Sequence, residues 1–212
     1  MLAILGCSRS QGAMGQAAQS VSLQDAAAIR IDSGSIAIEL VSADIDEMEV
    51  RYDKKWGIGT QSGVSIDQDK DEIDIKVEST LARIGRKPKL EVRIPSEYEG
   101  KLFLNSSSGR VTVTRFENNH IAVRTKSGQV SLDFAQFHSD VHVSTGSGNV
   151  QINLNASEPD INFHAKTVSG NYMITIPIQK DAKQSKSQIA GKLGNGTYEV
   201  DINTTSGDIN VQ

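Results

Sequence analysis

A Ser-Gly dipeptide recurs along this chain in a fixed setting, and its spacing constrains the fold more than any other feature. Counted from Gly109, the next three glycines of the set follow after 19, 20 and 22 residues, and the last follows after 37. A repeat of ~20 residues is typical of a solenoid, in which each unit contacts only its neighbours. The six glycines are Gly34, Gly109, Gly128, Gly148, Gly170 and Gly207.

Apolar and polar residues alternate on both sides of each glycine. Apolar side chains occupy the positions seven and five before it and two and four after it, as Ile121, Val123, Val130 and Leu132 do around Gly128. Alternation with period two predicts a strand on each side of the glycine, with one face buried. No unit has room for a helix, so we expect identical units to stack in parallel around one core.

The predicted fold is therefore all-β, a single-stranded parallel β-helix or β-solenoid with rungs of about 20 residues, Ser-Gly corners and right-handed winding. Residues 1–25 are predicted to be a signal remnant and flexible tether, and residues 26–212 one domain, with irregular rungs over 26–100 and regular rungs over 101–212. A loop insertion is expected near residues 179–196. A hairpin-built sandwich is the alternative, since Asn195-Gly196 is typical of a hairpin turn.

The glycine is expected to form a corner, because the inward positions change from odd to even offsets there. Glycine reaches positive φ without a Cβ penalty, and it allows close packing on the corners above and below. Hydroxyl residues lie three and one before it, as Thr125 and Ser127 do before Gly128. We expect both hydroxyl columns to face inward and to stack as ladders in which each hydroxyl donates and accepts.

The first seven residues are apolar and end at Cys7, the only cysteine. This pattern resembles the end of a bacterial lipoprotein signal with its acceptor cysteine, although the basic segment and full length of a signal core are missing. Residues 8–24 are dominated by Ser, Gln, Gly and Ala, a composition typical of a flexible tether. We predict that Cys7 is lipidated and anchors an exported protein to a membrane. A free thiol in a cytosolic protein is the alternative.

Charge and composition exclude several classes of function. The chain carries 26 Asp and Glu against 22 Lys and Arg, a net charge of −4, which argues against nucleic acid as the partner. One cysteine excludes an intramolecular disulfide and a multi-cysteine zinc site. No apolar run reaches the ~18 residues of a membrane-spanning helix.

The sequence predicts no catalytic, cofactor or metal site. The outward columns one after and six before the glycine contain no two neighbouring carboxylates, which glycoside cleavage requires. His142 and His164 both lie six before their glycines, so we expect them to stack ~4.8 Å apart on the outer face, without a third metal ligand. The acidic run from Asp67 to Glu72 is interpreted as a solvated loop.

Two basic clusters are candidate contacts for anionic lipid or wall polymer, although loop solubility explains them as well. The first consists of Arg83, Arg86, Lys87 and Lys89, and the second of Lys180, Lys183, Lys186 and Lys192.

The sequence resembles the bacterial β-strand repeat proteins called "putative adhesins", domain of unknown function 4097 (DUF4097). The resemblance covers roughly residues 26–212 and rests on the Leu90–Pro95 strand, the Ser-Gly units and the closing Thr205–Val211 segment. It implies a β-solenoid exposed at the cell envelope, often as a lipoprotein or beside envelope-stress regulators, with no catalytic residues to transfer.

The leading hypothesis is a non-enzymatic envelope module for adhesion, assembly or sensing. Its expected partners are the membrane, through the lipid anchor, and an envelope protein or polysaccharide. A cytosolic or envelope-stress regulatory scaffold is the second hypothesis, and a carbohydrate-active β-helix enzyme is the third.

Overall fold

The structure is a computed structural model that describes residues 18–52, 63–78, 88–117, 120–156, 158–180 and 184–212. These residues form strands and no helix, as the alternating pattern predicts. The strands are β1 (Gln19–Val21), β2 (Ala28–Asp32), β3 (Ala37–Ala43), β4 (Met48–Tyr52), β5 (Gly63–Asp69), β6 (Glu72–Glu78), β7 (Lys89–Pro95), β8 (Lys101–Ser106), β9 (Val111–Phe116), β10 (His120–Thr125), β11 (Val130–Phe134), β12 (Asp140–Thr145), β13 (Val150–Asn153), β14 (Ile161–Thr167), β15 (Tyr172–Ile174), β16 (Gln179–Lys180), β17 (Gln188–Leu193), β18 (Tyr198–Thr204) and β19 (Ile209–Val211).

The strands form two sheets that share one apolar core. The nine-stranded sheet has the order β1-β4-β7-β3-β9-β11-β13-β19-β15, and the ten-stranded sheet has the order β16-β17-β14-β18-β12-β10-β8-β2-β6-β5. A rung consists of one strand from each sheet, as β8 with β9 or β10 with β11. Leu102, Ile121 and Val141 stack in parallel register, and all three are buried. The predicted all-β architecture with parallel rungs is therefore confirmed, and the right-handed winding stays a prediction.

The rungs do not stack in the order of the sequence. Strand β18 pairs in parallel with β12 on one side and β14 on the other, and β19 lies between β13 and β15. The last rung of the chain therefore lies between the rungs of Gly148 and Gly170. At the other end, β2 lies between β6 and β8 in the same way. All rungs present the same apolar pattern, so local periodicity does not specify which rungs are neighbours.

Antiparallel strands close the ends of the stack, which corrects the expectation that every strand pairs in parallel. Strands β4 and β1 extend the nine-stranded sheet beyond β7, and β5 extends the ten-stranded sheet beyond β6. At the opposite end, β17 pairs with β14 and β16 with β17. Part of the expected 179–196 loop is thus sheet, because Ile189 of β17 is buried beside Ala165 of β14. Residues 181–183 lie outside the residues that the structure describes.

Asn195-Gly196 does not form the tight hairpin turn of the alternative fold. Strands β17 and β18, which this dipeptide connects, both pair with β14 and not with each other. Gly194 and Gly196 have φ of 66° and 73°. The Asp160 carboxylate accepts hydrogen bonds from the Gly196 N–H (2.6 Å) and from the Thr197 hydroxyl (2.6 Å). These bonds, the Thr197 hydroxyl first, lower the pKa of Asp160.

Close packing, not positive φ, explains the corner glycines in the regular rungs. A Cβ on Gly128 would collide with the carbonyl oxygen of Gly109, and a Cβ on Gly148 with that of Gly128. A Cβ on Gly207 would collide with the Gly148 carbonyl oxygen, and a Cβ on Gly170 with that of Gly207. The glycine contacts therefore follow the same order as the rungs. None of these five glycines has a positive φ, so the part of the corner prediction that invoked positive φ is wrong.

Gly34 does not belong to this column, although its Ser-Gly matches the repeat. It has φ of 57°, and a Cβ on it would meet no atom within 4 Å. The residue below Gly109 is Ile36, whose carbonyl oxygen occupies the position that a Cβ on Gly109 would take. Ile29 pairs with Leu102, seven before Gly109, so the first rung is shifted by two residues relative to the predicted alignment.

One hydroxyl column is buried and the other is not. The residues three before the glycine are at most 7% exposed, as Thr125 and Ser106 are, whereas the serines one before it are exposed, as Ser127 is. Four of these five hydroxyls bond to backbone groups instead of to one another, whereas Thr145 Oγ1 has no hydrogen-bond partner. Thr125 Oγ1 accepts from the Gly128 N–H at 2.8 Å, and Thr167 donates to the Gly207 carbonyl at 3.0 Å. The predicted hydroxyl ladder is therefore wrong, although the inward column is real.

Candidate functional site

Three aromatic rings contact one another across the outward face of the ten-stranded sheet, with interplanar angles of 55° and 47°. Phe103 on β8, Ala122 on β10 and His142 on β12 occupy one register position on neighbouring strands. The small Ala122 leaves a gap that His120, from the adjacent outward position, fills. The His120 ring centroid lies 5.9 Å from Phe103 and 5.5 Å from His142. We call Phe103, His120 and His142 the ring strip.

Arg30 covers one end of the ring strip. Its guanidinium carbon lies 4.8 Å from the centroid of the Phe103 ring, within the range of a cation–π contact. The Glu72 carboxylate accepts hydrogen bonds from Nε (2.9 Å) and Nη2 (2.6 Å) of Arg30, and Asp74 lies 3.6 Å from Nε. These carboxylates balance the charge of Arg30 and orient it over the ring.

The predicted stack of His142 on His164 is wrong, because β18 separates their strands. Asp201 of β18 lies in register between the two histidines. His164 Nδ1 lies 2.8 Å from Asp201 Oδ1, and its Nε2 lies 3.1 Å from Gln188 Nε2. Asp201 also accepts from Asn203 at 3.0 Å. His164 is thus held on both ring nitrogens, whereas His142 stacks on His120.

On the three strands that bear the ring strip, outward cations outnumber carboxylates. On β8, β10 and β12 the outward positions include Lys101 and Arg124 against a single carboxylate, Asp140. Burial lowers the pKa of His120, His142 and Lys101 lower it further, and Asp140 opposes them. His120 is therefore neutral at neutral pH and gains its charge only in acid.

The carboxylates of this face bond histidine and backbone groups. Within the described ranges, no group of three or more His, Cys, Asp or Glu is placed to hold a metal ion. The inserted last rung makes Asp140 and Glu199 neighbours across β12 and β18, a juxtaposition that sequence order conceals. Asp140 Oδ1 accepts the backbone N–H of Glu199 at 2.9 Å, so this carboxylate fixes strand pairing.

The nine-stranded sheet presents a different outer face. Thr112, Ser131, Gln151 and Asn210 stack in register on four neighbouring strands and carry no charge. The column ends at Met173 of β15, which is 64% exposed. This face contains hydrogen-bonding groups but no stacked rings among the described residues.

Other predicted contact residues are only partly described. Cys7, Arg83, Arg86, Lys87 and Lys183 lie outside the described residues, as does the side chain of Lys180. Lys186 and Lys192 are exposed.

Lys89 bonds Glu39 (2.7 Å) and Glu91 (2.6 Å). The hydrogen bond to Glu39, followed by that to Glu91, raises its pKa. These partners neutralise the charge of Lys89, so it is a poor candidate contact for an anionic surface.

Sequence reasoning overlooked the ring strip because it compared residues only at equal distances from the glycine. His120 lies eight before Gly128, whereas Phe103 and His142 lie six before Gly109 and Gly148. The feature that could have revealed it is Ala122. A small outward residue between two outward rings leaves space for a ring from the next outward position of the same strand.

The family model described as Toastrack DUF4097 matches residues 26–137 and again 101–212. The chain belongs to this family. The two matches overlap in residues 101–137, which contain β8 to β11 at the centre of the stack. The DUF4097 resemblance seen in the sequence is thereby confirmed.

One of the similar solved structures supports the fold. The chain is similar to a protein from Clostridium sporogenes described as a "putative cell adhesion protein", with 13% identity, a TM-score of 0.65, and coverage of 93% of this chain and 98% of that one. A "putative adhesin" from Bacteroides fragilis matches with 12% identity and a TM-score of 0.38, covering 94% and 98% of the two chains. No curated protein matches.

The described part of this DUF4097 chain contains no helix of the length and apolarity that a membrane crossing needs.

Proposed function

We propose that this DUF4097 protein is a non-enzymatic recognition module at the cell envelope, which binds its partner through the outward face of its ten-stranded sheet. The observation that carries the proposal is the ring strip with Lys101 and Arg124 beside it, an aromatic and cationic patch in a chain of net charge −4. The names of the similar structures, which refer to adhesion, support the same location and role.

A rigid sheet face suits recognition by many weak contacts. Every strand of this face except those at its edges is hydrogen-bonded on both sides, so the outward side chains keep fixed spacings. Such a face loses little conformational entropy when it binds. Binding spread over several rungs does not depend on one ionisable group, unlike catalysis.

Charge reversal on two neighbouring rungs should abolish attachment. We expect Lys101→Glu with Arg124→Glu to prevent sedimentation with envelope fragments of the source organism, because both side chains face outward beside the ring strip. The matched control is Arg110→Glu with Lys126→Glu, which changes the net charge equally but at exposed corner positions. Asp133→Asn should change little.

Equal attachment of the face variant and the corner variant would refute this binding surface. If the purified protein degrades envelope polysaccharide, and a single Asp or Glu substitution stops that turnover without unfolding the chain, the enzyme hypothesis replaces this one.

We further propose that Cys7 is lipidated when the native gene supplies a complete export signal. Two or more acyl chains would hold the protein on a membrane, since a single chain gives only marginal binding. Cys7→Ser should therefore move the protein from the membrane fraction to the soluble fraction. The mass of the mature amino terminus is the direct measurement. Equal membrane fractions for both proteins would contradict the anchor, and an unmodified cytosolic thiol would favour the regulatory scaffold.

A further inference from the structure

We infer that the ring strip is a binding site for an acidic polysaccharide, a chain of sugar rings bearing carboxylates, and that it binds more tightly as the pH falls. The inference deepens the proposed function and rests on it, since it names the partner class for the same sheet face.

A row of half-buried rings on the sheet face points to a sugar chain. The strip runs across the strands, with one ring from each of β8, β10 and β12, and its centroid spacings of 5.9 and 5.5 Å are comparable with the length of one sugar unit in an extended chain. All three side chains are half-buried and packed by their neighbours, so little side-chain entropy is lost when a ligand stacks on them. Aromatic faces carry partial negative charge and attract the C–H groups of a sugar ring.

Charge selects an acidic chain over a neutral one. Lys101 and Arg124 are exposed. Lys101 of β8 lies in register with His120, and Arg124 is the next outward residue after Ala122 on β10. Asp140 faces the same three strands, but its carboxylate bonds the Glu199 backbone at 2.9 Å. Arg30 is balanced by Glu72 and Asp74 and supports the Phe103 ring. On the flanking strands, Asp201 is bonded by His164 and Asn203, and Asp32 accepts the Gly34 N–H at 3.2 Å. The two exposed cations therefore remain to pair with ligand carboxylates.

The His120 imidazole makes this charge dependent on pH. His120 faces Lys101 from β8 and His142 and Asp140 from β12, with Arg124 on its own strand. His142 faces His120 from β10 and Asp201 from β18, with Asp140 on its own strand. When His120 takes up a proton the strip gains a positive charge, whereas the ligand carboxylates stay ionised. Affinity therefore rises as pH falls, and bound ligand in turn raises the pKa of His120.

The experiment measures binding of polygalacturonate to the full-length protein between about pH 8 and about pH 5, the range in which histidine titrates. We expect affinity to rise by about tenfold for each unit by which the bound carboxylates raise the pKa of His120. His120→Gln should reduce the rise but keep the binding at high pH. His164→Gln is the matched control, because that imidazole is engaged by Asp201 and Gln188 on the same face.

Two further arms test the rings and the charge separately. Phe103→Leu, which keeps an apolar side chain and removes the ring, should weaken binding at both pH values. Dextran, a neutral glucan, should bind far more weakly than polygalacturonate. Polyphosphate, an anion without sugar rings, should be insensitive to Phe103→Leu. Unfolding curves of all variants must match the parent protein.

The inference is overturned if polygalacturonate fails to bind, if the histidine variant keeps the pH dependence, or if Phe103→Leu binds as the parent does. These failures are distinguishable from failure of the proposed function. Envelope attachment that Lys101→Glu with Arg124→Glu abolishes would still stand, with a partner other than an acidic polysaccharide.

Discussion

Replacing Gly128 by valine is expected to lower the free energy of unfolding by at least about 3 kcal/mol, at the upper end of the usual cost of overpacking. A Cβ at this position would collide with the Gly109 carbonyl oxygen, and it would lie 2.8 Å from Thr125 Oγ1. The neighbouring corner has little freedom to move, because the Ser127 N–H bonds the Ser107 carbonyl at 3.0 Å. Urea unfolding followed by circular dichroism measures the loss.

Two other glycines serve as controls for Gly128→Val. Gly63→Val should be close to neutral, since a Cβ there meets no atom within 4 Å and the position begins an edge strand. Gly34→Ala should cost about 1–2 kcal/mol, because its φ of 57° is unfavourable for a residue with a Cβ. Unfolding of Gly128→Val at the same urea concentration as the parent protein would show that the corner packing described above is wrong.

Replacing Phe134 by alanine is expected to cost about 3–5 kcal/mol, the range for truncating a fully buried phenylalanine. Phe134 has no exposed surface. Its ring makes edge-to-face contacts with Phe116, at a centroid distance of 5.5 Å, and with Phe137, at 5.0 Å. Phe116 lies in β9, and Phe137 lies buried in the connection between β11 and β12, so the cavity can collapse only in part. The same urea experiment gives the value.

Two substitutions serve as controls for Phe134→Ala. Phe134→Leu should lose clearly less, because it restores most of the apolar volume but not the ring contacts. Phe103→Ala, which removes an outward and half-buried ring, should also cost less than Phe134→Ala. A Phe134→Ala protein as stable as Phe103→Ala would contradict the assignment of Phe134 to the centre of the core.

The sequence predicts the strands, the inward columns and the close packing of the glycines because each depends on local periodicity. A buried face imposes the alternation seen at Ile121 and Val123, whichever rung lies beside them. The order of the rungs is not local. Val200 offers β12 and β14 the same apolar contacts that Val141 and Phe163 would offer each other, so the insertion of β18 leaves no mark in the pattern.

The errors at the corner and at the candidate site have physical causes of their own. Ser127 is exposed because the inward and outward alternation stops before the glycine, where the strand has ended at Thr125. Gly34 satisfies the Ser-Gly pattern but uses a left-handed turn in place of the close-packed corner. The ring strip depends on His120 crossing into the gap above Ala122, a side-chain placement that rung spacing alone does not determine.

The insertion of the final rung has a consequence for biosynthesis. Until residues 198–211 leave the ribosome, β12 and β14 have no strand between them, and the folded stack cannot be completed. The segment that forms β18 and β19 is therefore the last of the described rungs to be made, although it lies inside the stack. Its long-range contacts make folding intrinsically slow. Deletion of residues 198–211 would remove an internal rung and leave the rungs of Gly148 and Gly170 without the strands that pair with both.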